Sequence, residues 1–123
     1  MTLTFDSQSI GRRVNELLIL AELERMPMHG YQIALEIEER SGGYFPFNHG
    51  TLYPILHRLE KEGLIVGSWS DPSKGRARKQ YAPTAAGRTH LAALIRDWET
   101  LRSQVGAFAN RGGSDEQVQA GAA

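Results

Sequence analysis

The residues best suited to chemistry lie in two short stretches. Asn48, His49, Thr51, Tyr53, His57, Arg58 and Lys61 stand in one run, and Lys74, Arg76, Arg78 and Lys79 in another. Hydroxyls, amides and imidazoles donate to phosphate oxygens and reach base edges, while lysine and arginine neutralise phosphate charge. The first run has helical spacing, with Leu52, Ile55, Leu56 and Leu59 on the opposite side. The second run holds four basic residues and no acidic one from Lys74 to Lys79. Each residue alone also fits a plain solvated surface. The position of the basic run favours nucleic acid, because it lies between two strand-like segments that begin just after the polar helix.

Catalytic constellations are missing from the chain. It has no cysteine, hence no disulfide framework, thiolate metal site or cysteine nucleophile. It has no Gly-x-Ser-x-Gly elbow, phosphate-cradling glycine loop or His-Glu-x-x-His pair. His29, His49, His57 and His90 show no metal-like clustering with carboxylates and are expected at the surface. No catalytic residue, metal or cofactor is expected. A winged-helix module that binds only protein is the competing reading, but it would not need Thr51, Tyr53 and a cationic hairpin on one face.

The chain of 123 residues, 41% apolar, suggests one domain with a small core that dimerisation would enlarge. The N-terminus lacks a secretory pattern, and the longest strongly apolar run, Leu17 to Ala21, is far short of a membrane span. A cytoplasmic location without membrane contact is the expectation. Net charge is zero, which taken alone argues against nucleic-acid binding. Distribution matters more, since salt screens charges beyond about 10 Å. From Val14 to Glu39 there are six acidic residues and only Arg25 as a base, whereas the Lys74–Lys79 run is purely basic.

These residues need a frame. A first helix is expected from about Ser9 to Arg25, with Pro27 ending it. A second should run from Gly30 to Glu39, with Tyr31, Ile33, Ala34 and Ile37 inward and Gly42-Gly43 as its stop. Tyr44, Phe45 and Phe47 should tuck under the helices. The third helix begins near Asn48, a good N-cap, and closes at Gly63. Pro54 costs a backbone donor there unless Thr51 is the effective cap, so an irregular first turn is expected. Leu64 to Ser70 reads as a strand, with Trp69 packing it on the head, and Gln80 to Pro83 as its return. Asp71-Pro72-Ser73-Lys74-Gly75 is turn chemistry. Tyr31 and Tyr81 read as core or interface. Thr84 then caps a long fourth helix. The fold class is therefore mainly α with a small β-hairpin: a winged helix-turn-helix over 9–84, a dimerisation helix over 85–109 and a disordered tail over 110–123.

The fourth helix has its own pattern. Leu91, Leu94, Trp98, Leu101, Val105 and Phe108 are spaced 3, 4, 3, 4, 3, an a/d seam that Ile95 widens. A dimer interface completed by Val14 and Leu17 is expected; the alternative is a helix packed lengthwise on its own head. Trp98 is either plain packing or, with Phe108, part of a slot for a flat ligand.

Several segments resemble the PadR family of bacterial transcriptional regulators. They are Leu18-Ile19-Leu20 with Met28-His29-Gly30-Tyr31-Gln32-Ile33, then Gly50-Thr51-Leu52-Tyr53-Pro54-Ile55-Leu56-His57-Arg58-Leu59-Glu60-Lys61-Glu62-Gly63-Leu64-Ile65, then Gly75-Arg76-Ala77-Arg78-Lys79-Gln80-Tyr81 and Thr84-Ala85-Ala86-Gly87. The short C-terminal part resembles the compact branch of the family. The resemblance implies a homodimer on a pseudo-palindromic double-stranded DNA operator, usually repressing. It implies a C-terminal helix packed on the partner's N- and C-terminal helices. It also implies small aromatic or lipophilic effectors, against which an interface tryptophan stacks in similar proteins. Ala77 stands where the family turn often has proline, which should loosen the wing tip. Arg76 or Arg78 is the expected minor-groove residue.

Overall fold

The computed structural model describes residues 11–70 and 78–110. The basic turn with Lys74 and Arg76, and the expected tail beyond Asn110, lie outside the described residues. The elements are α1 (Arg12–Arg25), β1 (Met28–His29), α2 (Gly30–Arg40), α3 (His49–Lys61), β2 (Ile65–Trp69), β3 (Lys79–Pro83) and α4 (Ala85–Ala109). Helices α1, α2 and α3 form a head, the strands make a small antiparallel sheet at its side, and α4 runs back across α1.

The helix boundaries follow from local chemistry. Asn48 Oδ1 accepts from the Thr51 N–H at 2.8 Å, so Asn48 is the cap of α3 and Thr51 is not. Pro54 consequently lies inside the helix and removes one of its bonds to the first turn. Both α2 and α3 end in paired reverse bonds over a left-handed glycine. Gly43 N–H reaches the Glu38 carbonyl and Gly42 N–H the Glu39 carbonyl; Leu64 N–H reaches Leu59 and Gly63 N–H reaches Glu60. Gly42 and Gly63 have φ of 62° and 78°, which only glycine adopts readily.

The hairpin ladder runs from Ile65↔Pro83 to Trp69↔Lys79. β1 adds a third strand, pairing Met28 with Tyr81 and His29 with Gln80, so the sheet order is β1-β3-β2. A two-residue strand has no periodicity to read; only its partner β3 defines it. Ile19, Leu20 and Leu23 meet Ile33, Ile37, Leu52, Leu56 and Leu59 in the core, which Met28, Ile65 and Tyr81 close from the sheet side.

Other expectations are corrected. Tyr31 is 50% exposed, because Gly30, Ile33, Ala34 and Ile37 centre the buried face of α2 and leave Tyr31 at its edge. Phe45 and Phe47 pack on the core, but Tyr44 turns outward against the Phe45 ring edge. Trp69 does not pack on the head; it is 68% exposed, beyond the end of the core that buries Ile65 on the same strand face. The α4 seam is divided. Leu91 and Leu94 are buried in this chain's own core against α1, whereas Ile95, Trp98, Leu101, Val105 and Phe108 are exposed.

The start of α4 is fixed to the end of α3. Thr84 Oγ1 accepts from the Gly87 N–H at 3.0 Å and donates to the Gly63 carbonyl at 2.6 Å, and Thr84 N–H reaches the Leu64 carbonyl at 3.1 Å. Gly87 is there because a Cβ would run into the Leu64 carbonyl oxygen. Gly87→Ala is therefore expected to lower stability by about 1–3 kcal/mol, although alanine is the better helix former. A thermal melt at or above that of the unaltered protein would refute this close contact.

Candidate nucleic-acid interface

Helix α3 presents its polar residues in an order set by its burial. With Leu52, Leu56 and Leu59 inward, Tyr53, His57 and Lys61 stand four residues apart on the open side, all exposed. His49 lies on one flank of this ridge, edge-on to the Tyr53 ring with centroids 5.6 Å apart. Thr51 and Arg58 lie on the other. Thr51 is exposed, but Arg58 turns toward α1 and donates to Glu16 Oε2 at 2.6 Å, with Glu62 at 3.6 Å. Asn48 is exposed, its Oδ1 engaged in the cap.

Tyr53 is seated on α2. A Cβ on Gly30 would lie 2.6 Å from the Tyr53 hydroxyl oxygen, so the glycine makes room for the ring. His49 and Tyr53 thereby border an open hollow of about 790 Å³, closed on its other sides by Tyr31 from α2 and by Trp69, Arg78 and Lys79 from the hairpin. Arg78 lies 5.9 Å from the Tyr31 ring centre; its carbonyl accepts from the Ser70 N–H at 2.8 Å and its own N–H donates to the Ser70 hydroxyl at 2.8 Å. Lys79 differs from Arg78. Its ammonium crosses above Gly67 and donates to Glu60 Oε1 at 2.8 Å. That hydrogen bond holds the Glu60 carboxyl below its ordinary range, and Glu60 in turn raises the Lys79 ammonium. Lys79 thus ties the wing to α3. Burial pushes the Tyr81 phenol up, as suits a core residue.

Sequence reasoning missed Tyr31 and Trp69 as walls of this hollow, and Glu16 as the partner of Arg58. A first-turn aromatic beside Gly30, and a glutamate on the inward side of α1, were the available signals. Glu16 is buried, and its Oε1 faces His90 Nε2 at 2.9 Å. His90 is thus half-buried and engaged, rather than free at the surface. Among the described residues no group of three or more His, Asp or Glu could hold a metal ion, and no described helix is long and apolar enough to cross a membrane.

Residues 19–93 match the model of the transcriptional regulator PadR-like family. The chain belongs to this family. Its members are transcriptional regulators, and the protein is one of them rather than an enzyme. It is 38% identical to the transcriptional regulator Rv3488 of Mycobacterium tuberculosis over 94 residues, covering 76% of this chain and 84% of the relative. It is 29% identical over 86 residues to the negative transcriptional regulator PadR of Bacillus subtilis, covering 70% of this chain and 45% of that one. A PadR-like regulator from Bacillus cereus superimposes with a TM-score of 0.73 at 27% identity, over 86% of this chain and all of that chain. Like that PadR-like structure, the chain is a winged helix, and here it is followed by a long C-terminal helix.

On α4 a smaller hollow of about 90 Å³ is lined by Val14, Leu17, Leu94, Trp98 and Leu101, with Arg13 and Asp97 paired at its edge. Trp98 is therefore beside α1 residues already within one chain, and Phe108 is not in this hollow.

Burial pushes the Glu16 carboxyl up, but hydrogen bonds from His90 and Arg58, reinforced by their charges, outweigh it and leave the carboxyl below its ordinary value of 4.5. A depressed folded value gives stability that is present above 4.5 and is lost as pH falls below 4.5 through the lower folded value. Glu16→Gln is expected to be less stable at neutral pH and to lose less on further acidification below 4.5. Parallel unfolding curves for the two proteins across that range would show that Glu16 carries no such linkage.

Proposed function

We propose that the protein is a homodimeric DNA-binding regulator that represses transcription and is released by a small aromatic or lipophilic compound. The observation that carries this reading is the pairing of two surfaces. The exposed Tyr53–His57–Lys61 ridge lies beside a cationic hairpin, and α4 exposes an unpartnered apolar stripe.

On this reading α3 enters the major groove. His49, Thr51 and Tyr53 donate to phosphates near the helix start, where the helix dipole also favours anions. His57 and Lys61 lie farther along the ridge, and Asn48 contributes through its amide. Arg58 serves the ridge indirectly, through its bond to Glu16. Arg78 reaches the backbone beside the groove, joined by Lys74 and Arg76 of the same basic run. Ile95, Trp98, Leu101, Val105 and Phe108 meet the partner's copy of α4 and its Val14 and Leu17 region. Two heads then read half-sites of a pseudo-palindrome. The effector would stack on Trp98 beside Val14 and Leu17, where it alters the seam and hence the spacing of the heads. The Bacillus subtilis relative is named a negative regulator, which supports repression as the sign.

Binding of labelled duplex from the chain's own upstream region, measured by anisotropy at two salt concentrations, tests the reading. Affinity should fall steeply with salt. Arg78→Ala should weaken binding to all duplexes and reduce the slope of log affinity against log salt by about one. No binding at low salt would favour a protein-binding winged helix. Leu101→Glu with Val105→Glu should sediment as a folded monomer with much weaker operator binding. If that variant still sediments as a dimer, the proposed seam is wrong.

A further inference from the structure

The exposed indole of Trp69 is unexplained by the fold. Residues 65, 67 and 69 share one face of β2 by strand alternation. Ile65 on that face is buried in the core, while Trp69 is 68% exposed beside the hollow. The ring is held in place rather than left loose. Its ladder partner is Lys79, whose ammonium lies 5.9 Å from the Trp69 ring centre and 5.5 Å from that of Tyr81. Glu60 anchors that ammonium from α3, and Gly67 leaves the space it crosses. Lys79 is thus a strut with its charge answered. Arg78, beside Tyr31, supplies an exposed cation at the same hollow.

We propose that this hollow seats one strand of the duplex backbone, with the Trp69 indole packed on a deoxyribose and the Arg78 guanidinium on the adjoining phosphate. The inference rests on the DNA-binding reading above and deepens it. A nucleic-acid backbone alternates apolar sugar with anionic phosphate, and the hollow is lined by both an apolar ring and an exposed cation that pairs with no carboxylate among the described residues. Tyr31, Tyr53 and Trp69 are all exposed around this one hollow, and an exposed apolar patch rimmed by polar residues is the usual mark of a contact surface. Because the indole displaces no counterion, its contribution is independent of salt, unlike that of Arg78. Tyr31 and Tyr53 line the same hollow, and Arg78 lies beside the Tyr31 ring.

The experiment compares the full-length protein with Trp69→Ala and Trp69→Phe, titrated with duplex at several salt concentrations. Trp69→Ala should bind all duplexes roughly tenfold more weakly, in the range of one aromatic contact to a nucleotide, with the salt slope unchanged. Trp69→Phe should recover most of the loss. Duplex should change the tryptophan emission of the unaltered protein and leave that of Trp69→Phe unchanged. Melting temperatures should agree, since the removed side chain is largely in solvent. Equal duplex affinity of Trp69→Ala and the unaltered protein overturns the proposal while leaving DNA binding intact. Absence of duplex binding by the unaltered protein overturns both. Emission from Trp69 that responds to benzoate and not to duplex also overturns it, in favour of a small-molecule site.

Discussion

One buried carboxylate holds the three longest helices in register. Glu16 on α1 gives Oε2 to Arg58 of α3 and Oε1 to His90 of α4. An ionised carboxylate removed from water is costly unless donors replace the lost hydration, and breaking such a pair leaves a buried charge exposed to a poor medium. Neither α3 nor α4 can slide or rotate far without orphaning one oxygen. The apolar core supplies most of the favourable free energy of folding, but Leu-on-Leu packing tolerates small shifts. The ion-paired carboxylate is directional, and it fixes the Arg58 flank of α3 against α1. It thereby reinforces the orientation set by burial of Leu52, Leu56 and Leu59, which leaves Tyr53, His57 and Lys61 facing outward.

A second junction works by sterics. Thr84 caps α4 and at the same time donates to the carbonyl of Gly63, the left-handed residue that ends α3. Gly87 lets the α4 backbone approach the Leu64 carbonyl at the root of the wing. The end of the polar helix, the base of the hairpin and the start of the long helix therefore share one small set of atoms. With Glu16 farther along, α4 is attached to α3 at two points. The Lys79–Glu60 pair performs the same service for the wing, so that hairpin and ridge are carried on a single frame.

Much of this architecture was legible along the chain. The cap at Asn48, the stop at Gly63, the turn-flanked strands and the Thr84 start each depend on neighbours within four or five residues, and all appear where expected. The polar set on α3 was also legible, because helical spacing alone separates it from Leu52, Leu56 and Leu59. Arg58 was not. Spacing shows that it leaves the apolar stripe, but its actual partner is Glu16, 42 residues away in the chain. Trp69 was misplaced for a related reason: alternation gave the correct strand face, and only the finite extent of the head determines where that face runs out of core. The α4 seam reads as continuous in one dimension, yet α1 covers Leu91 and Leu94 and stops short of Val105 and Phe108.

The sequence by itself determined the helix and strand order, which follows from local propensity, capping and period, together with the polar and cationic residue types on hand and, through resemblance of whole motifs, the family. Tertiary structure decided which of those residues are free. It spent Arg58 on Glu16 and Lys79 on Glu60, added β1 to the sheet, and brought Tyr31, Tyr53 and Trp69 around one hollow. The reason is that a side chain's availability depends on partners distant in the chain, and burial energy, which selects those partners, has no representation in spacing alone.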